Sequence, residues 1–125
     1  MLRECLAVAV GGALGSLARY TLMLVFSLGG ATWLPVATLT ANVVGCLAIG
    51  AVTQWVLQTE SLGQSWWVTG VRVGLLGGLT TFSSFAMEVA RLWQTDRGGL
   101  SLVLVGLHLG LGLASVVLGM WWVRH

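Results

Sequence analysis

Four long apolar runs account for nearly all of the chain, at approximately residues 5–26, 33–57, 66–93 and 100–123. Polar residues collect in the short stretches between them: around Gly29-Gly30, from Gln58 to Ser65, and at Asp96-Arg97-Gly98-Gly99. Crossing a hydrocarbon core about 30 Å thick takes about 20 apolar residues of helix. Each run meets that length. The pattern therefore predicts an all-α membrane protein, four transmembrane helices in a single domain over residues 1–125. Pro35 is expected in the first turn of the second helix, where its missing N–H costs nothing. The seven Trp (33, 55, 66, 67, 93, 121 and 122) all fall near predicted helix ends, as in the aromatic belt of a membrane protein. Gly11 and Gly15 in the first span have the four-residue spacing that lets helix backbones approach closely, and Gly70, Gly74 and Gly78 repeat it in the third.

The third run is the irregular one. Its middle reads Gly77-Gly78-Leu79-Thr80-Thr81-Phe82-Ser83-Ser84-Phe85. Gly costs about 1 kcal/mol relative to Ala inside a helix, and Thr and Ser compete for its hydrogen bonds. The eleven residues from Trp66 to Leu76 span about 16 Å as helix, about half of the hydrocarbon thickness. The stretch thus predicts a helix broken near the membrane midplane. Such a break leaves carbonyls unpaired on one half and N–H groups on the other, tolerated only inside protein or beside a watery cavity. The carbonyl end suits a cation and the N–H end an anion. A hydroxyl-stabilised kink with no ligand is the other reading, and the residues alone leave both open.

Composition and charge narrow the function. The chain is 57% hydrophobic, with six Arg, no Lys and four acidic residues, so no soluble domain is expected. Its net charge of +2 is too small and scattered for nucleic acid binding. Glu4 beside Arg3, and Arg19 within the first run, argue that this segment is a retained helix rather than a cleaved signal. Cys5 and Cys46 lack metal-ligand spacing and read as small apolar fillers. With four spans, Arg3, Arg72 and Arg124 lie towards one side and Arg19, Arg91 and Arg97 towards the other. The positive-inside rule then gives no preferred orientation, which makes an antiparallel, dual-topology homodimer a candidate. A two-fold axis in the membrane plane would bring two helix breaks together.

Few polar side chains lie inside the spans. Asn42 is either an ion ligand or helix-packing glue. Arg19 either snorkels to the interface or lines a vestibule attractive to anions. Glu88, near the end of the third span, has Arg91 at i+3 as an expected partner. His108 reads as a hydrogen-bonded packing residue, having no second metal ligand spaced near it. Phe82 and Phe85, three apart, share a helix face. Lipid or helix contact is their ordinary use, but a ring also has a positive edge. With hydroxyls and N–H groups, such edges make an anion path without fixed charge, weak enough to release the ion.

These residues resemble the Fluc/CrcB family of fluoride channels. The third-span motif is similar to the family signature. So are Gly11-Gly12-Ala13-Leu14-Gly15-Ser16-Leu17-Ala18-Arg19-Tyr20 in the first span and Thr38-Leu39-Thr40-Ala41-Asn42 in the second. The resemblance covers the whole chain. It implies a fluoride-selective channel in the bacterial inner membrane, an antiparallel homodimer with two pores that exports cytoplasmic fluoride passively. It also implies a structural sodium ion at the dimer centre, held by the backbone carbonyls of Gly77 and Thr80 from both subunits. Phe82 and Phe85 would line the pores, Asn42 would donate a hydrogen bond towards them, and Arg19 would lie near the vestibule. Thr81, Ser83 and Ser84 are further candidate contacts for fluoride. The chain departs from the family in the fourth span: a Ser and a Thr of the family's polar track fall at Gly112 and Val116, with Ser115 the nearest hydroxyl.

Two other classes of membrane protein share the size and the four spans. A small dual-topology, proton-coupled exporter of cationic compounds needs a mid-membrane carboxylate, and Glu4 and Glu88 are expected near helix ends. A non-transporting membrane assembly protein would fit the glycine rows but leaves the broken helix and its Phe pair without a purpose. No nucleotide motif or catalytic constellation is present, so no enzyme is expected.

Overall fold

The computed structural model describes residues 1–28, 35–59 and 65–125. The Gly29-Gly30 loop, Trp33 and most of the loop between Gln58 and Ser65 lie outside them. The chain is all-helical, with four long apolar helices, each long enough to span a membrane. Helix α1 is Leu2–Leu28 and α2 is Val36–Gln58. The third span is Trp66–Gln94. It divides into α3, residues 66–79, and α4, Phe82–Gln94; α5 is Gly98–Arg124.

The helices overrun the apolar runs that predict them. α1 begins at Leu2 rather than near residue 5, and α5 at Gly98 rather than near 100. The 27 residues of α1 make about 40 Å of helix, more than the hydrocarbon thickness. Hydropathy marks the membrane edge, and backbone bonding carries the helix past it. At α2, Pro35 sits one position earlier than expected, just outside the helix that starts at Val36. Its carbonyl accepts from Leu39 N at 3.1 Å, the first bond of the helix. Between α4 and α5, Asp96 turns the chain with φ 57°, and Arg97 N bonds back to Leu92 O at 2.9 Å. That bond caps the end of α4 in the Schellman manner. Gly98 and Gly99, expected in this turn, belong to α5 instead.

Two helix pairs make the body. α1 packs along α3, and α2 along α5, while α4 lies mainly against α5. Glycines set both seams. A Cβ placed on Gly15 would stand 2.8 Å from Leu79 N, and one on Gly78 2.6 Å from Gly12 O. On the other seam, a Cβ on Gly119 would stand 2.9 Å from Ala51 N. Each distance is shorter than any real contact, so the two backbones touch where these glycines lie.

Pressed against α1, the middle of α3 does not keep α-helical turns. Trp66–Thr69 is α-helical, Gly70–Leu76 is a π-helix, and Gly77–Leu79 returns to α. In the wider π turn, four residues fall just short of a full turn, where in an α-helix they exceed it. Mixing the two keeps Gly70, Gly74 and Gly78 in a straighter row against α1. The hydrophobic pattern carries no sign of this segment.

Candidate functional site

The break in the third span falls later than its glycines suggest. Gly77 has helical dihedrals, and Gly78 lies inside the α turn that ends at Leu79. The chain leaves the helix at Thr80 (ψ 152°) and Thr81 (φ −152°, ψ 116°), both extended. The glycine cost of about 1 kcal/mol is outweighed by the contact with Gly12. The hydroxyls make the break: Thr80 Oγ1 donates to Leu76 O at 2.9 Å, and Thr81 Oγ1 caps α4, accepting from Ser84 N at 3.2 Å.

Asn42, across on α2, completes it. Its Nδ2 donates to Thr81 O at 3.1 Å, and its Oδ1 accepts from Thr81 N at 2.8 Å. One amide thus satisfies both polar groups of an extended residue, as a neighbouring strand would. Between ligand and packing glue, this geometry uses Asn42 as glue, with one Nδ2 hydrogen to spare. Among the described residues, no donor reaches the carbonyl oxygens of Gly77 or Thr80. Arg19 Nε donates to the intervening Gly78 O at 3.2 Å. Arg19 therefore crosses to the carbonyl end of α3, where its charge suits the helix dipole, instead of snorkelling away.

A cavity of about 340 Å³ opens beside the break. Asn42, Gly77, Thr80, Thr81, Phe82 and Phe85 are all in its wall. Ser83 and Ser84 are not, and both hydroxyls turn to Thr81 Oγ1, at 3.2 and 3.1 Å. The Phe rings meet edge-on, centroids 5.6 Å apart. They differ in setting: Phe82 is 77% exposed and Phe85 8%. Phe85 also lies on the His108 ring at 4.3 Å, and His108 Nδ1 is 3.1 Å from Leu104 O.

Two residues, Glu88 and Arg72, have roles that sequence reasoning missed or misjudged. Glu88 makes no ion pair with Arg91; its Oε1 accepts from Thr38 Oγ1 at 2.5 Å, because α2 brings a hydroxyl to a half-buried carboxylate in the middle of α4. His108 and Arg72 both line the cavity. The charge pattern treats Arg72 only as lying towards one side of the membrane; its place inside the third span is the signal in the sequence for a further role. At the departures from the family pattern, a Cβ on Gly112 would stand 3.7 Å from Cys46 Sγ. Val116 presents its backbone to Gly50. Both positions thus lie in the α2–α5 seam. Among the described residues there is no cluster of three or more His, Cys, Asp or Glu able to hold a metal.

Four membrane-length helices, one interrupted by a short extended segment beside a phenylalanine-lined cavity, define a multi-pass membrane protein with a polar site inside its span. The chain belongs to the CrcB family: the sequence profile of "CrcB-like protein, Camphor Resistance (CrcB)" matches residues 6–120. It is 40% identical over 118 residues to a fluoride-specific ion channel FluC of Pectobacterium atrosepticum, covering 94% of this chain and 88% of that one. A protein of the same name from Variovorax paradoxus is 40% identical over 119 residues, covering 95% and 93%. One from Escherichia coli is 39% identical over 122 residues, covering 97% and 94%.

Proposed function

We propose that this protein is a fluoride-selective channel that lets fluoride leave the cytoplasm passively, across the inner membrane of a bacterium. The observation that carries the reading is the cavity at the helix break, where Phe82 and Phe85 meet Asn42 and Thr81. Ring edges and hydrogen-bond donors attract a small anion and still release it. The names of the relatives supply the ion. Fluoride chemistry supplies the direction: HF crosses membranes and dissociates in a more alkaline cytoplasm, so the anion accumulates there and leaves down its gradient. The exporter alternative needs a free mid-membrane carboxylate, and one oxygen of Glu88 is engaged by Thr38.

The active form in this reading is an antiparallel homodimer around a structural sodium ion. Gly77 lies on an exposed face of α3, and among the described residues its carbonyl and that of Thr80 lack donors. Two such pairs from two copies would give a hard cation four oxygens. Replacing sodium with a bulky organic cation is expected to weaken the dimer; an unchanged dimer dissociation constant overturns the assignment.

The test is fluoride-electrode recording of efflux from liposomes holding the purified protein, with chloride run alongside. Fast fluoride release with little chloride release is expected, and release of neither from verified dimers overturns the reading. Phe82→Ile is expected to reduce fluoride flux at least tenfold with little change in melting temperature, since its ring is exposed. Phe85→Ile is expected to reduce flux and also to lower stability by about 1 kcal/mol, through lost packing on His108. Full flux in both variants removes the ring edges from the mechanism.

A further inference from the structure

We infer that Arg72 is a fixed positive charge at the junction of two cavities, where it recruits the permeant anion towards the Phe-lined site. The inference rests on the fluoride-channel reading above and adds a residue to it. Arg72 lies in the π-helical segment Gly70–Leu76, the seventh residue from Trp66, which puts it roughly 9 Å along the helix from the Trp end. It lines the cavity of about 340 Å³ that also contains Asn42, Thr81, Phe82 and Phe85. It lines a second cavity of about 190 Å³, with Thr69 and Val68 nearer the Trp66 end. Arg72 and Ile49 are the residues common to both walls. Along α3, the smaller cavity borders residues 68 to 73 and the larger one Arg72, Leu76 and Gly77, next to the break.

The guanidinium is uncommitted. Among the described residues it makes no hydrogen bond and no ion pair. The carboxylates among the described residues are occupied or distant: Glu4 pairs with the N-terminus, Glu88 accepts from Thr38, and Asp96 lies in the turn after α4. Arg19, the other arginine well inside a span, is spent on Gly78 O. An arginine within a membrane span is costly and calls for a partner, and here the open directions are the two cavities. Its five N–H donors suit a small anion. A charge in a narrow, low-dielectric cleft raises the local concentration of counter-ions without holding one permanently. The path is therefore not free of fixed charge, as the Phe and hydroxyl residues alone suggest.

The test is fluoride flux through wild type, Arg72→Gln and Arg72→Lys in liposomes, at two concentrations of an impermeant salt. Between about 0.01 M and about 1 M the screening length falls from about 30 Å to about 3 Å. At low salt and low fluoride, Arg72→Gln is expected to lose about tenfold in flux. At high salt the loss should shrink to less than about twofold, with Arg72→Lys close to wild type at both. Unchanged flux in Arg72→Gln at low salt overturns the inference. So does an equal loss at both salts, which would mark Arg72 as a packing residue. Either result leaves a conducting wild type, and so leaves the channel reading standing. A silent wild type overturns both.

Discussion

Replacing Asn42 with Leu is expected to abolish fluoride flux and to destabilise the fold by about 2–6 kcal/mol. The side chains are similar in size, so the substitution opens no large cavity. What it removes is the pair of hydrogen bonds to Thr81 N and O. The two groups are half-buried at the cavity wall, and each costs about 1–3 kcal/mol when left unpaired, the lower figure where cavity water reaches it. Asn42→Asp separates the two halves of the role: it keeps an acceptor for Thr81 N and sets a carboxylate against Thr81 O. It should be less destabilising when protonated, because the protonated acid regains a donor. Melting of the detergent-solubilised protein, read beside liposome efflux, is the measurement. If Asn42→Leu melts within a degree or two of wild type, the amide is not what holds the break.

The second large effect concerns packing, and the protein carries its own control. Gly15→Ala puts a Cβ 2.8 Å from Leu79 N, a backbone atom that cannot rotate away. α1 must then withdraw from α3 just before the break. A loss of about 3 kcal/mol or more is expected, at the upper end of overpacking costs, with flux lost as well. At Gly106 of α5, nothing among the described residues lies within 4 Å of an added Cβ. The same substitution there should be neutral or stabilise by up to about 1 kcal/mol, from helix propensity alone. Equal melting temperatures for the two variants would mean that α1 and α3 are not in backbone contact.

Much of this fold is written in local pattern. Four spans follow from the apolar runs, and the glycine rows of the first and third spans are the rows that meet. The interruption is legible too, but not its residue. Gly77 and Gly78 read as helix breakers because propensity scales price glycine without neighbours, whereas here Gly78 is what lets α3 touch Gly12. The π-helical segment is invisible for the same reason: it answers to α1, not to its own sequence. The pairing of Glu88 with Thr38 joins residues fifty apart, and nothing in the spacing of either announces the other. Arg72 was counted for its sign and not for its place, since only the packing of α2 on α3 encloses it between two cavities.

The two ends of the interruption have different owners. Leu79 and Gly78 are held by α1, through Gly15, Gly12 and Arg19. Thr81 is held by Asn42 of α2, and α4 behind it by Ser101 of α5, which donates to Val89 O at 3.1 Å. α1 with α3, and α2 with α4 and α5, are two packed layers that also meet each other along α1–α2 and α2–α3. The third span crosses from one layer to the other at Thr80-Thr81. The third span therefore changes partner across Thr80-Thr81, from α1 before them to α5 after them.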